Sequence, residues 1–286
     1  MDKTKKRKLD ILVLSDVHLG TYGCHAKELL HYLKTIKPKT VILNGDIIDI
    51  WQFSKRYWPK SHMKVVKHLM NWMSKGVKIY YITGNHDEML RKFVGFKMGS
   101  LKIVNKVILE LDNGKSAWFF HGDVFDVTMQ HSKWLAKLGA VGYDTLIHIN
   151  RIANFISEKI FKKGKLSLSK KIKNSVKSAV KFINNFEQTA ADIGISNHYD
   201  YVVCGHIHQP EMRTIENQHG KIIYLNSGDW IENLTALEYT NGEWKIYRFD
   251  DNEMLNMVIN ETGDEELNNN QLFDNLVEEF NLLKQQ

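Results

Sequence analysis

The sequence predicts an α/β fold in which helices cover a layered β-sheet. Short apolar runs of strand character recur along the 286-residue chain. Residues 26–36 carry apolar side chains at helical spacing that ends before Pro38, and another apolar run follows, as in a βαβ unit. With 43% hydrophobic and 25% charged residues, the composition is that of a globular protein and not of a disordered chain.

Later in the chain, strand patterns are interrupted by a block of helical periodicity. Residues 65–73 predict a second amphipathic helix. Residues 101–111 alternate apolar and polar side chains, and Asn113-Gly114 predicts a hairpin turn into a strand at 116–121. Residues 126–200 lack a strand pattern and predict an inserted helical cap. Further strands are predicted over residues 201–204, 221–225, 234–239 and 244–249.

These patterns predict a core of residues 9–125 and 201–249 that is interrupted by the cap. A basic N-terminal tail, residues 1–8, precedes this core. An acidic C-terminal tail, residues 250–286, follows it, with ten acidic residues and a single lysine. The predicted domain plan is therefore one core, one insertion and two oppositely charged tails.

Five of the apolar runs end in side chains that bind metal ions in proteins. Open α/β sheets place their chemistry just beyond the carboxyl ends of such strands, so these side chains are expected to meet. Carboxylates and imidazoles together suit divalent Mn, Fe or Zn. The candidate metal ligands are Asp16, His18, Asp46, Asn85, His121, His206 and His208.

Seven ligands exceed the coordination shell of one ion, which holds about four to six groups. Two ions accommodate all seven if one carboxylate bridges them, and Asp46 is the candidate because it has no second ligand beside it. Any one of these segments alone is more often a strand end with a satisfied histidine or a turn-forming aspartate. Five in order, each directly after an apolar run, favour a shared metal centre.

The same residues resemble the motif series of the calcineurin-like metallophosphoesterase superfamily, over residues 9 to 249. The series reads Asp16-x-His18, Gly45-Asp46-x-x-Asp49, Gly84-Asn85-His86-Asp87, His121-Gly122-Asp123 and Gly205-His206-x-His208. The resemblance implies a four-layer αββα sandwich with the helical cap inserted. It also implies hydrolysis of a phosphoester with two divalent ions, which bind the phosphate and acidify the attacking water.

The resemblance assigns a role to each motif residue. One ion is implied to bind Asp16, His18, Asp46 and His208, and the other Asp46, Asn85, His121 and His206. His86 matches the catalytic histidine that stabilises the transition state or protonates the leaving oxygen. Asp87, grouped with it as catalytic, and Asp49 match residues that orient His86 or the ligands.

Within the superfamily, two segments resemble the UDP-2,3-diacylglucosamine hydrolases of lipid A synthesis. They are residues 45–51, which end in Trp51, and residues 226–230, which end in Trp230. This likeness implies manganese-dependent cleavage of a nucleotide-activated glycolipid to UMP and diacylglucosamine 1-phosphate, with acyl chains held between cap and core. One residue departs from that branch, whose best-known members have arginine in place of His86.

Two weaker candidates for substrate contact are Trp51 and Asp126, chosen by position alone. Trp51 begins an aromatic and basic loop over residues 51–58, beside Asp46. This loop is explained either by ordinary packing or by a wall of the substrate site, where aromatic rings stack and basic side chains meet phosphate.

Cysteine content and the N-terminus predict a cytoplasmic protein. Cys24 and Cys204 are interpreted as reduced thiols. The basic tail leads into a short apolar run and does not predict a signal peptide, and no apolar run is long enough to cross a bilayer. Residues 159–181 hold nine lysines and no acidic residue, which favours either a solvated helix face or peripheral contact with anionic lipid of the inner membrane.

Two other functions stay open from the sequence. A phosphodiesterase or phosphatase for soluble nucleotides or other phosphoesters needs the same metal ligands without an apolar cavity. A nucleic-acid-binding protein or nuclease agrees with the net charge of +6 and the pI near 9.0. The acidic tail and the lack of a recognised nucleic-acid module argue against nucleic acid as a partner.

Overall fold

A computed structural model describes residues 6–51, 58–125 and 183–250, which form two β-sheets and their covering helices. The helices are α1 (Ala26–Thr35), α2 (Lys60–Ser74), a 3-10 helix (Glu88–Phe93) and α3, described over residues 183–196. The strands are β1 (Arg7–Leu14), β2 (Ile36–Asn44), β3 (Lys78–Ile82), β4 (Lys97–Met98), β5 (Leu101–Val104), β6 (Lys106–Glu110), β7 (Ser116–Phe120), β8 (Tyr201–Cys204), β9 (Glu211–Asn217), β10 (Gly220–Asn226), β11 (Thr235–Thr240) and β12 (Glu243–Arg248).

Each sheet has parallel strands at its centre. The first has the order β12-β11-β1-β2-β3-β5-β4, in which β1, β2, β3 and β5 run parallel. The second has the order β6-β7-β8-β10-β9, in which β7, β8 and β10 run parallel. Leu14 pairs with Leu43, and Asn44 pairs with Ile82, so β1, β2 and β3 end at the same edge.

The layers follow from which strand residues are buried and by what. Side chains from both sheets, such as Val13 and Phe119, form one apolar cluster between the sheets. Alternate residues of the first sheet, including Leu12 and Val41, are also fully buried, on the face that α1 contacts. Helix α3 covers the outer face of the second sheet, where Phe186 joins a separate apolar cluster. The predicted four-layer αββα sandwich is thereby confirmed.

The alternating pattern over residues 101–111 spans two strands. The chain forms β5 in the first sheet and β6 in the second, with a break at Asn105. Alternation continues across the break because both strands are half-buried, so periodicity does not reveal the change of sheet. The predicted hairpin of β6 and β7 is confirmed, whereas the edge strand β9 was not predicted.

Much of the predicted cap lies outside the described residues. This applies to residues 126–182, including Asp126 and the lysine-rich block 159–181, and to the C-terminal tail from residue 251 onward. The last part of the predicted cap interval is α3, which packs on the second sheet. Arg7 and Lys8, assigned to the basic tail, begin β1. None of the helices in the described ranges is both long and apolar enough to cross a bilayer.

Candidate metal centre

The candidate ligands follow the carboxyl ends of β1, β2, β3, β7 and β8, and five of them have left-handed backbone conformations. Such conformations are uncommon outside glycine, although Asp and His tolerate them better than most residues. They persist where the surroundings hold them, and they cluster at functional sites. The five φ angles are 52° at Asp16 and His18, 54° at Asp46 and His208, and 69° at His206.

Backbone hydrogen bonds between neighbouring loops fix these conformations. The amide of Asp16 donates to the Gly45 carbonyl at 3.1 Å, and the amide of His18 donates to the Asp46 carbonyl at 2.9 Å. In the second sheet, the Gly205 amide donates to the His121 carbonyl at 3.0 Å. The loops that carry the ligands are therefore tied to one another and not only to their own strands.

Two glycines allow the close approach of these loops. A Cβ atom on Gly45 would lie 2.3 Å from Nδ1 of His121, and one on Gly84 would lie 2.1 Å from Oδ1 of Asp46. Gly45 also has a φ of 81°, a conformation that side chains disfavour. Any larger residue at either position would displace a candidate ligand.

The ligand atoms converge in three overlapping groups, in each of which they lie within 4.8 Å of one another. Asp46 belongs to two of the groups, as expected of a side chain between two ions. Its Oδ2 lies 3.3 Å from Nε2 of His121, and Oδ1 of Asp16 lies 3.3 Å from Nε2 of His208. The groups are Asp16 with His18 and His208, His18 with Asp46 and His86, and Asp46 with His121 and His206.

Four of the buried polar atoms at this place make no hydrogen bond. Buried polar atoms are almost always hydrogen-bonded in proteins, because desolvation without a partner is costly. Two metal ions would satisfy these four atoms, since each atom has a lone pair for coordination. The atoms are Oδ1 of Asp16, Nε2 of His18, Oδ1 of Asn85 and Nε2 of His121. The donor set therefore fits divalent transition ions.

The electrostatics of the site follow from carboxylates buried beside imidazoles. Burial alone would raise the pKa of Asp16, but the adjacent imidazole of His208 outweighs it and lowers the pKa to about 2. Burial likewise lowers the pKa of His208, and Asp16 reverses this and raises it to about 9. The pKa of His121 is raised well above its usual value, because Asp46 outweighs the effect of burial. A cation binding here would therefore compete with protons for the imidazoles.

Comparison with known protein families agrees with this arrangement. The model of the calcineurin-like phosphoesterases matches residues 9–210, which is most of the chain and spans all seven candidate ligands. The chain belongs to the calcineurin-like phosphoesterase family. It is accordingly a metal-dependent phosphoester hydrolase.

Curated relatives of this phosphoesterase share one name. The UDP-2,3-diacylglucosamine hydrolase of Blochmanniella pennsylvanica is 26% identical over 72% of this chain and 82% of its own length. The enzyme of that name from Aliivibrio fischeri is 24% identical over 84% of this chain and 98% of its own length. Among solved structures, an archaeal phosphodiesterase aligns over 83% of this chain and 98% of its own, with 13% identity and a TM-score of 0.39.

The two residues predicted to act beside the metal ligands lie at different depths in this phosphoesterase. His86 is partly exposed, and its Nδ1 lies 3.0 Å from Oδ2 of Asp49. Asp87 is fully buried and faces away from solvent. Its carboxylate accepts hydrogen bonds from the Tyr81 hydroxyl at 2.6 Å, the Gly84 amide at 2.6 Å and the Ile47 amide at 3.1 Å. Asp87 thus ties the loop after β2 to the loop after β3.

Asp229 is a buried carboxylate of the site that sequence reasoning did not assign a role. Its Oδ2 lies 3.6 Å from Nδ1 of His208, on the opposite side of the ring from Asp16. Its Oδ1 accepts hydrogen bonds from the amides of residues 231–233. The signal was present in the segment 226–230, which was used only for family resemblance. Carboxylates that orient a ligating histidine are common in metal sites.

Trp51 is the one substrate-contact candidate within the described residues, because Asp126 lies outside them. Its side chain is 72% exposed, and its Nε1 donates to the Asn85 carbonyl at 3.2 Å. The indole therefore lies at the rim of the metal centre, next to the loop that carries Asn85. This position leaves a ring face open to a ligand.

Proposed function

We propose that this phosphoesterase hydrolyses the pyrophosphate of UDP-2,3-diacylglucosamine, giving UMP and diacylglucosamine 1-phosphate. The observation that carries the proposal is the set of overlapping ligand groups around Asp46, whose buried atoms lack hydrogen bonds. The substrate class is taken from the shared name of the curated relatives. The proposed setting is the cytoplasm, at the inner-membrane surface.

Two divalent ions, for which manganese is the candidate, would be held by seven side chains. Asp16, His18, Asp46 and His208 would hold one ion, and Asp46, Asn85, His121 and His206 would hold the other. Such ions supply Lewis-acid activation of the phosphate and of the attacking water. The protein contributes the fixed spacing, since the loops that carry the ligands are hydrogen-bonded to each other.

His86 is the proposed general acid. Burial lowers the pKa of His86, but the hydrogen bond and charge of Asp49 outweigh burial and raise it above the usual value. A raised pKa favours the protonated imidazole, which is the form that can donate a proton to the leaving oxygen. Its partial exposure, 32% for the side chain, leaves it accessible to a substrate. Asp49 also lies 3.6 Å from Nδ1 of His18, so it orients both rings.

The nucleotide end of the substrate is proposed to lie against Trp51. An exposed indole that is anchored through Nε1 offers a flat surface for stacking a nucleobase. Its hydrogen bond to the Asn85 carbonyl already orders this side chain, so ligand binding costs little further conformational entropy. Binding energy from a remote base would help to place the pyrophosphate at the ions.

The test is mass spectrometry of products after the manganese-loaded protein meets UDP-2,3-diacylglucosamine in detergent. UMP together with the lipid phosphate is the expected result, and Asp46→Asn is the inactive control. Intact lipid substrate alongside hydrolysis of bis(p-nitrophenyl) phosphate would reject this substrate. It would favour the second candidate, a phosphodiesterase for soluble phosphoesters, which His86 supports because the lipid hydrolases that the sequence resembles have arginine there.

A further inference from the structure

An exposed apolar surface lies beside the metal centre. Residues 91–99 are all exposed, although several of them are large and hydrophobic. Contiguous exposed apolar patches are uncommon on soluble proteins and mark sites of interaction. The side chains that form it, called here the 89–98 surface, are Met89 at 57% exposure, Phe93 at 56%, Val94 at 41%, Phe96 at 51% and Met98 at 45%.

The backbone under this surface is fixed by hydrogen bonds. The Val94 amide donates to the Arg91 carbonyl at 3.2 Å, and the Phe96 amide donates to the Phe93 carbonyl at 2.9 Å. The segment is also tied to β5, because the Ile103 amide donates to the Phe96 carbonyl at 3.1 Å. The apolar side chains are therefore presented outward by a defined backbone and are not exposed through disorder of the loop.

Basic side chains are interspersed with the apolar ones. Residues 88–102 contain Arg91, Lys92, Lys97 and Lys102 but a single acidic residue, Glu88. Arg91 forms an ion pair with Asp123, whereas Lys92 and Lys97 are exposed. Apolar side chains with flanking lysines are typical of surfaces that insert into the headgroup region of anionic bilayers.

The position of the surface relative to the metal centre is also fixed. The 3-10 helix begins directly after Asp87, so the surface follows the loop that carries His86. The ion pair of Arg91 with Asp123 joins it to the loop that follows His121. A membrane contact here would hold the metal centre near the plane of the headgroups.

We infer that the 89–98 surface docks this phosphoesterase on an anionic lipid bilayer. Phe93, Phe96 and Met98 enter the interface, and Lys92 and Lys97 meet the lipid phosphates. The role of this contact rests on the proposed function, because it would bring the metal centre to a lipid-linked substrate. The contact itself requires only the lipid surface.

The experiment is flotation of the full chain with vesicles that contain no substrate. Vesicles of phosphatidylcholine mixed with phosphatidylglycerol are compared with phosphatidylcholine alone. The double variant Phe93→Ser with Phe96→Ser is expected to lose about tenfold or more in partitioning to the anionic vesicles. The matched control is Ile108→Ser with Met212→Ser, which removes apolar side chains of 46% and 45% exposure from the second sheet.

A second pair of variants tests the charge. Lys92→Glu with Lys97→Glu is expected to weaken binding to the anionic vesicles about tenfold and to abolish its dependence on salt. Hydrolysis of bis(p-nitrophenyl) phosphate is expected to stay at the level of the parent in all variants. This readout shows that the fold and the metal centre are intact.

Several outcomes would overturn the inference. The first is that the parent chain does not bind the anionic vesicles. The second is that the Phe93→Ser, Phe96→Ser variant binds them as well as the parent does. The third is that the Ile108→Ser, Met212→Ser control loses as much binding as that variant. A different result would assign the surface to a second copy of the chain instead. In that case the parent self-associates but does not bind vesicles, and the Phe93→Ser, Phe96→Ser variant no longer self-associates. Failure of the proposed function is separate, because it appears as intact UDP-2,3-diacylglucosamine in detergent and does not alter vesicle binding.

Discussion

The carboxyl end and the amino-terminal half of β1 both carry charged clusters, but their hydrogen bonding differs. In the amino-terminal half, Glu238 accepts two hydrogen bonds from Arg7, at 2.8 and 2.9 Å, and one from the Tyr32 hydroxyl at 2.8 Å. Lys39 lies 2.6 Å from Asp10. At the carboxyl end, four buried atoms of the candidate ligands make no hydrogen bond: Oδ1 of Asp16, Nε2 of His18, Oδ1 of Asn85 and Nε2 of His121.

The comparison separates charges that stabilise the fold from charges kept for a ligand. Paired groups offset their own desolvation, whereas unpaired buried groups reduce stability unless a ligand satisfies them. The carboxyl end also holds most of the described non-glycine residues with left-handed backbones. Uncommon backbone conformations and buried polar atoms without hydrogen bonds therefore coincide at the candidate metal centre. Mutations at the two ends are expected to have opposite consequences for activity and stability.

The largest expected effect is on activity, at the carboxyl end. Asp46→Asn keeps the size of the side chain but removes the shared charge, so kcat for bis(p-nitrophenyl) phosphate is expected to fall on the order of a thousandfold. Circular dichroism should show a folded chain. The matched variant Asp10→Asn, in the amino-terminal half of β1, is expected to retain full activity. A near-normal rate for Asp46→Asn would remove the two-ion mechanism.

A smaller effect, on metal affinity, is expected from Asp229, which contacts the candidate ligand His208. Asp229→Asn removes the charge next to Nδ1 of His208 while keeping an oxygen for the amides of residues 231–233. Manganese affinity, measured by calorimetric titration, is expected to fall about 10- to 100-fold. Asp192→Asn, on α3, is the control and should not change the affinity. Equal affinity of parent and Asp229→Asn would show that Asp229 does not orient His208.

In the amino-terminal half of β1, the expected effect is on stability alone. Glu238→Gln removes the charged acceptor of Arg7 and Tyr32, and the free energy of unfolding is expected to fall by about 2 kcal/mol. The measurement is urea denaturation of the metal-free chain, with kcat as the control. A fall in kcat at saturating metal would contradict the separation of the two regions.

The smallest expected effect is on the pH dependence of stability, through His62, which is hydrogen-bonded to the loop that follows His18. The Gly20 amide donates to Nδ1 of His62 at 2.9 Å, and burial lowers the pKa of His62 below its usual value of 6.5. As the pH falls, the His62 side chain is therefore protonated in the unfolded chain before it is protonated in the folded chain. The stability due to neutral His62 is lost as the pH falls below about 6.5.

Comparison of His62→Gln with the parent tests this expectation. The stability advantage of the parent over His62→Gln in urea denaturation is expected to shrink between pH 7.5 and pH 5, by about 1 kcal/mol or less. A constant difference across this range would mean that His62 does not titrate on unfolding.

The sequence predicted where the candidate ligands meet, because strand periodicity and ligand chemistry coincide there. Apolar runs identify β1, β2, β3, β7 and β8, and parallel neighbours must end at the same edge. The structure brings Asp16, Asp46 and His121 together as that logic requires. The family assignment followed from the same residues and is confirmed.

Other features could not be predicted because they depend on contacts distant in sequence. Oδ2 of Asp229 lies 3.6 Å from Nδ1 of His208, and the segment 226–230 that contains Asp229 does not reveal this contact. The left-handed backbone of His206 depends on neighbouring loops. Alternation over residues 101–111 is the same whether the chain stays in one sheet or crosses to the other.

The central claim is that the buried atoms without hydrogen bonds at the carboxyl end belong to a site for two metal ions. The most direct measurement is metal content by mass spectrometry after manganese loading and gel filtration. The account predicts two ions per parent chain and fewer for His121→Ala, which lacks a ligand of one position. A parent chain that keeps no ion, or a His121→Ala variant that keeps both, would contradict it.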